Sequence, residues 1–346
     1  MIAHRRSLAG ACALLALTAC DGGGTTREQI KVVGSSTVYP FTTAVAETFV
    51  NSRPDAKAPV IESTGTGPGV KLFCAGIGPQ HPDIVNASRR MRATELRTCQ
   101  ANGVADVMEV QVGTDGIALA ESNNGPKLQL SRRDVYLALA ASPNGRRNTA
   151  RRWSDVNPAL PALPIQVYGP PSTSGTRDAF AELVLMPACE ANDPQARALK
   201  DRDPDAYAER CTKMRDDGAY VDKGENDNLI VQNLSTNPNA IGIFGYSYLE
   251  ENAGALHGVP LEGVAPTYQS IASGRYPGAR ALYIYVKKAH LRAVPGLKEF
   301  LADYARAWGP DGPLVRRGLI AAGPEVRARA AAVVAGGQAL DPAQLH

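Results

Sequence analysis

Three stretches of this chain share one pattern: a short apolar strand gives way to glycine and small hydroxyl residues at the start of a helix. They are Ile30–Val33 into Gly34-Ser35-Ser36-Thr37, the Thr64-Gly65-Thr66-Gly67 turn before Val70–Cys74, and Ile165–Gly169 into Ser172-Thr173-Ser174-Gly175-Thr176. Strands that alternate with helices in this way specify an α/β protein with a mainly parallel sheet. The turns add chemistry. A helix N-terminus carries unpaired N–H groups and a partial positive charge, so it attracts anions. Glycine lets the backbone approach closely, and Ser or Thr adds a hydroxyl donor without adding charge. One such turn is an ordinary helix cap. Three in one chain point to convergence on a single small oxyanion.

The rest of the sequence fits two domains of this kind. The chain has 346 residues, 44% hydrophobic and 21% charged, a globular balance that excludes a disordered chain. Phe41, Val45 and Phe49 recur every four residues after Pro40 and mark one buried helix face. Asp83-Ile84-Val85 leads into Asn86-Ala87-Ser88-Arg89, and Val107–Val112 alternates as a strand before Gly113–Gly116 and a further apolar run, Ile117–Ala120. Beyond these, Leu130–Val135 reads as a capped helix start, Trp153–Pro158 as a loop, and Thr176–Met186 as a helix. Asp201–Asp205 is a solvated connection, and Asn228–Gln232 and Ala240–Tyr246 supply further strand or helix. Near the end, Ala281–Val286 reads as a strand, and Gly296–Trp308 and Ala328–Ala339 as helices.

Residues 1–19 read as an export signal. Arg5 and Arg6 form its basic region, Leu8–Leu17 its apolar core, and Leu17-Thr18-Ala19-Cys20 resembles a bacterial lipobox, which implies cleavage before Cys20 and lipid on its sulfur. A plain secretory signal cut nearby is the alternative. Residues 20–27, with Asp21-Gly22-Gly23-Gly24, would then be a tether between lipid and domain. Losing Arg5 and Arg6 lowers the basic count from 37 to 35 against 34 acidic residues, so the net charge falls from +3 to +1, with no hint of nucleic-acid binding. Cys12 leaves with the signal and Cys20 takes the lipid. That leaves Cys74, Cys99, Cys189 and Cys211, with no CxxC pair and no histidine at zinc spacing. An even number in an oxidising compartment implies two bridges. Of the three possible pairings, Cys74–Cys99 with Cys189–Cys211 is expected, because each pair brackets one local segment.

Taken in order, Gly34-Ser35-Ser36-Thr37-Val38-Tyr39-Pro40, Thr64-Gly65-Thr66-Gly67, Ala87-Ser88-Arg89, Ser174-Gly175-Thr176 and Gly242-Ile243-Phe244-Gly245-Tyr246 form a specific set. Over nearly all of residues 28–320 the chain resembles the phosphate-binding proteins of bacterial phosphate ABC importers, which are periplasmic solute-binding proteins. The resemblance implies a two-lobed periplasmic-binding-protein fold, type II-like, with two hinge strands. Lobe 1 would comprise residues 28–116 plus 280–346, and lobe 2 residues 117–279. Inorganic phosphate would lie in the cleft and pass to an ABC permease of the inner membrane. The protein would work as a lipid-anchored periplasmic monomer, with no cofactor and no metal. Ser36, Thr37, Val38, Thr66, Ser88, Ser174, Gly175 and Thr176 match the family's phosphate-binding positions.

Arg89 departs from that pattern. Many relatives carry an aspartate directly after the Ala-Ser pair and an arginine four residues before the Ser-Gly-Thr serine; this chain has Arg89 and Pro170 there. A guanidinium can clamp a tetrahedral oxyanion bidentately, so Arg89 is the expected clamp, with Arg177 the alternative and surface charge the bland reading. Asp227 is a possible replacement acceptor, or part of a solvated loop. Without the acid, sulfate, molybdate or another tetrahedral oxyanion becomes an alternative ligand. The same fold could also serve a sensor or a surface adhesin. Enzyme signatures such as GxSxG, Walker A and HExxH are absent, and the histidines are scattered at His4, His81, His257, His290 and His346. Binding rather than catalysis is therefore expected.

Overall fold

Each of the three turns lies where a parallel strand stops. The computed structural model describes residues 28–224 and 226–345, so the signal, the tether and Cys20 lie outside the described residues. Strands β1 (Lys31–Gly34), β2 (Val60–Ser63) and β3 (Ile84–Ala87) are parallel, with Gly34 in register with Ser63 on one side and Asn86 on the other. A long strand β4 (Val107–Ser122) follows. Strands β5 (Val167–Gly169), β6 (Tyr220–Asp222) and β7 (Ile241–Gly245) form a second parallel set, β8 (Leu256–Gly258) pairs with β4, and β9 (Ala279–Lys287) returns to the first set. The sheet order is β2-β1-β3-β9-β4-β7-β5-β6.

The antiparallel ribbon of β4 and β9 joins the two parallel sets. Val107–Gly116 of β4 runs against Lys287–Ala279 of β9, while Ile117–Ala120 runs against β7. The sequence suggests a break at Gly113–Gly116, but β4 continues through it. These glycines serve packing rather than turning. A Cβ on Gly113 would lie 2.6 Å from Leu319 Cδ1, and one on Gly116 would lie 2.8 Å from Ile271 Cγ2. The only irregularity here is a register shift between Gln111 and Gly113.

Alternation along the ribbon sorts side chains into separate cores. Leu282, Ile284 and Val286 join Met108, Val110 and Val112 beneath the helices Tyr39–Asn51 and Leu297–Ala307. There the expected face of Phe41, Val45 and Phe49 is buried, and Phe49 meets Phe300 edge-on at 5.7 Å. Burying one such side chain contributes about 1.5–3 kcal/mol. Tyr285 turns to the opposite face with Val33, Val85 and Phe73. Ile117–Ala120 enters a third core with Tyr136, Phe180, Val184 and Ile243.

Both bridges occur as expected, Cys74–Cys99 and Cys189–Cys211. Trp153–Val156, expected as a loop, forms one helical turn: Trp153 is buried, and the Asp155 carboxylate accepts the N–H groups of Arg151 and Arg152. The helix beginning at Gly175 runs beyond Met186 to Asn192, winding as a π-helix over Ala181–Leu185. Among the described residues, no helix is long and apolar enough to cross a membrane.

Candidate functional site

Ligands in open α/β sheets bind beyond the carboxyl ends of the strands, and here the turns gather at those ends. At the end of β1, Gly34 has φ +126°, and a Cβ there would lie 2.2 Å from Asn86 O, so only glycine fits. Ser35 N donates to Asn86 O at 2.9 Å, which swings the next residues across the sheet edge. The N–H groups of Thr37 and Val38 then both point at Ser35 Oγ, at 3.2 and 3.4 Å. Beside them, Ser88 N donates to Thr66 Oγ1 at 3.1 Å, and the two hydroxyls lie 3.0 Å apart.

The second parallel set contributes the Ser174 turn after β5. Ser174 caps its helix by accepting Thr176 N at 3.2 Å. This turn packs directly against the first: a Cβ on Gly175 would lie 3.1 Å from Thr37 N. Ser36 Oγ donates to Asp178 Oδ2 at 3.1 Å, and Thr37 Oγ1 donates to Gly175 O at 3.4 Å. Ser36, Thr37, Val38 and the Ser174-Gly175-Thr176 turn are therefore brought together, with Thr66 and Ser88 on the same sheet edge as the first of these turns.

The charged candidates are engaged by other partners. The expected clamp Arg89 is paired to Glu95, with Nη1 2.9 Å from Oε2 and Nη2 2.7 Å from Oε1. Its guanidinium is thus committed to a carboxylate six residues away instead of to the Thr37 turn. Arg90 is held by Glu109. Arg177 lies 4.4 Å over the Tyr220 ring and donates to Pro170 O at 3.3 Å. Asp227 begins the helix Asp227–Thr236 and belongs to this same neighbourhood. Burial pushes the Tyr220 phenol up to about 12, with Arg177 opposing and Asp222 and Asp227 adding to the shift.

A buried cation that sequence reasoning missed stands beside the Thr37 turn. Arg280, at the start of β9, is 8% exposed, and its Nη2 donates to Thr37 Oγ1 at 2.5 Å. Nη1 donates to Glu182 Oε2 at 2.5 Å, and Nε faces Asp115 Oδ2 at 3.5 Å. Burial pushes the Asp115 carboxyl up, against the pull of Arg280. The only signal in the sequence was a lone arginine directly before the apolar run Ala281–Val286.

Ser88, Arg89, Asp178, Glu182, Arg280 and Tyr283 line a cleft of about 680 Å³. The Ser36–Val38 and Ser174–Thr176 turns do not line this cleft but adjoin it through Asp178 and Arg280, and their hydroxyls and N–H groups with one buried guanidinium are suited to holding an oxyanion. The histidine–carboxylate pairs, His257 with Glu121 and His290 with Asp83, do not line it. Among the described residues, no cluster of three His, Cys, Asp or Glu side chains is placed to hold a metal.

The PBP superfamily domain matches residues 20–305. The protein SphX of Synechococcus elongatus is 31% identical over 278 residues, covering 77% of this chain and 72% of SphX. The phosphate-binding protein PstS of Staphylococcus saprophyticus is 27% identical over 299 residues, covering 84% of this chain and 81% of that one. Among solved structures, a possible phosphate binding protein from Planctomyces limnophilus superposes with a TM-score of 0.72 at 30% identity, over 89% of this chain and 98% of its own.

Proposed function

This chain belongs to the PBP superfamily, and we propose that it captures inorganic phosphate between its lobes and delivers it to an ABC-type importer. One observation carries the reading: the Ser36–Val38 turn of one parallel set meets the Ser174–Thr176 turn of the other, with buried Arg280 bonded to Thr37 between them. Phosphate presents acceptor oxygens on every side, so donors from two sets of strands can saturate it only when both close on it. The names of the Staphylococcus and Planctomyces relatives support phosphate over other oxyanions.

The proposal extends to the frame around the site. Residues 28–116 with 280–346 act as one lobe and 117–279 as the other, the β4–β9 ribbon being the hinge between them. Ser36, Thr37, Val38, Thr66, Ser88, Ser174, Gly175 and Thr176 contribute hydroxyl or N–H donors, and the protein binds without catalysis. It works as a monomer in the periplasm, anchored through lipid on Cys20, which the Leu17-Thr18-Ala19-Cys20 tetrapeptide motivates. Mass spectrometry of the mature N-terminus tests the anchor: a diacylglyceryl-modified Cys20 is expected, and an unmodified chain starting elsewhere rules it out.

Calorimetric titration with phosphate, arsenate, sulfate and molybdate tests the ligand. Saturable binding of one phosphate per chain is expected, with arsenate following it and sulfate at least about a hundredfold weaker, a gap of about 2.7 kcal/mol. Absence of phosphate binding, or a preference for sulfate or molybdate, refutes the reading.

A further inference from the structure

The buried charge that lines the cleft stands on a strand to which neither binding turn belongs. Arg280 of β9 is directly opposite Asp115 of β4, so both side chains rise from one face of the ribbon that joins the two parallel sets. The Arg280 side chain is only 6% exposed, and its three nitrogens reach three elements: the Thr37 turn, β4 through Asp115, and the π-wound segment through Glu182.

We propose that Arg280 is the cationic anchor of the oxyanion site and that Glu182 is its resident counter-ion, displaced when the anion enters. The inference rests on the phosphate-binding reading above and goes beyond it, because it assigns the site's charge to a residue outside every turn that resembles the family pattern.

Four observations support the assignment. A buried guanidinium needs an anionic partner in every state, since leaving it unpaired is costly. Its two carboxylates are not equivalent. Asp115 is 13% exposed and fixed in the ribbon, whereas Glu182 is 48% exposed, on a longer side chain that can turn into water at little cost. Glu182 therefore yields and Asp115 stays. Second, π-wound turns inside helices recur at functional sites, and Glu182 sits in one.

Third, Thr37 Oγ1 already accepts from Arg280, so an anion taking the neighbouring Thr37 and Val38 N–H groups lies within reach of the same guanidinium. Fourth, Glu182 has a companion. Asp178, four residues earlier, places a carboxylate oxygen on the Ser36 hydroxyl, just as Glu182 places one on Arg280. Two carboxylates of one helical run thus lie on two donors of the proposed site, as an oxyanion would. A displaced Glu182 has a second cation nearby, because its charge is also felt by Arg89.

The alternative is a latch, in which the Arg280–Glu182 pair merely ties two parts of the fold together. The two roles predict opposite signs. A counter-ion competes with the ligand, so Glu182→Gln tightens phosphate binding, whereas a latch supports closure, so the same change weakens binding or leaves it unaltered. Calorimetric titration of the wild-type chain, Arg280→Ala, Arg280→Lys and Glu182→Gln with inorganic phosphate separates them, with thermal unfolding in phosphate-free buffer confirming that each variant folds. Arg280→Ala is expected to weaken binding about a hundredfold or more, Arg280→Lys by less, and Glu182→Gln to strengthen it about threefold to tenfold. If wild type binds phosphate and Arg280→Ala binds within about threefold of it, the anchor is refuted while the phosphate reading stands. Unchanged or weakened binding by Glu182→Gln refutes the counter-ion. Should Arg280→Ala fail to fold, Arg280→Lys and Glu182→Gln still decide by their opposite signs. If wild type itself binds no phosphate, both readings fall together.

Discussion

At Arg89 the guanidinium is held by a local carboxylate. Both of its terminal nitrogens meet Glu95, which also accepts Arg92 N at 2.8 Å. Burial pushes the Glu95 carboxyl up, but the bonds from Arg89 and Arg92 outweigh it and hold the group below the usual carboxylate range. A carboxylate lowered in the fold contributes stability above its unfolded value, near about 4.3, and loses it as pH falls through the folded value. The ion pair is partly buried, between the surface case at about 0–1 kcal/mol and the buried case at about 3–5. Arg89→Ala should therefore cost about 1–2 kcal/mol at pH 7 and progressively less as pH falls through the lowered value of Glu95, as urea unfolding in a series of buffers from pH 7 downward would measure. Its effect on phosphate affinity should be smaller than that of Arg280→Ala. A destabilisation that stays constant across the whole series would show that the pair is not the source.

Elements whose causes are local were legible in the sequence. The spacing of Phe41, Val45 and Phe49 fixes a helix face because 3.6 residues make a turn, and the strand-to-glycine patterns located β1 and β5. Cys189 and Cys211 bracket one helical excursion and bridge it, as expected. The continuity of β4 was not legible, because the reason for Gly113 and Gly116 is contact with Leu319 and Ile271, far along the chain. Much of the candidate site could be read from its turns, since each turn is a local motif. Its charge could not. Asp115, Glu182 and Arg280 meet only through the register of β4 against β9 and the π-wound turn, and neither is written in any short stretch of sequence. Nor could the pairing of Arg89 be read from its motif position, because the Glu95 that meets it lies just outside the motif.

On the scale of the whole molecule, the site divides its donors between two parallel sets of strands that share one continuous ribbon. A ligand held by both stabilises both. One that binds only the folded chain adds RT ln(1 + [L]/Kd), about 2.7 kcal/mol at a hundred times Kd. For domains of this size each kcal/mol raises the midpoint by about 2–4 °C, so phosphate at that excess should raise it by about 5–10 °C. The distribution of the shift is more informative than its size. If the Ser36 turn and the Ser174 turn hold the same anion, unfolding either lobe releases it, and every component of the transition must move upward together. An anion resting on one turn alone would move one component and leave the other at its phosphate-free temperature. Differential scanning calorimetry with and without phosphate, with sulfate at equal ionic strength as the control, distinguishes the two outcomes. A split response would overturn the shared site even if phosphate binds, because the contacts of Ser36 with Asp178 and of Thr37 with Gly175 would then have no part in holding the ligand.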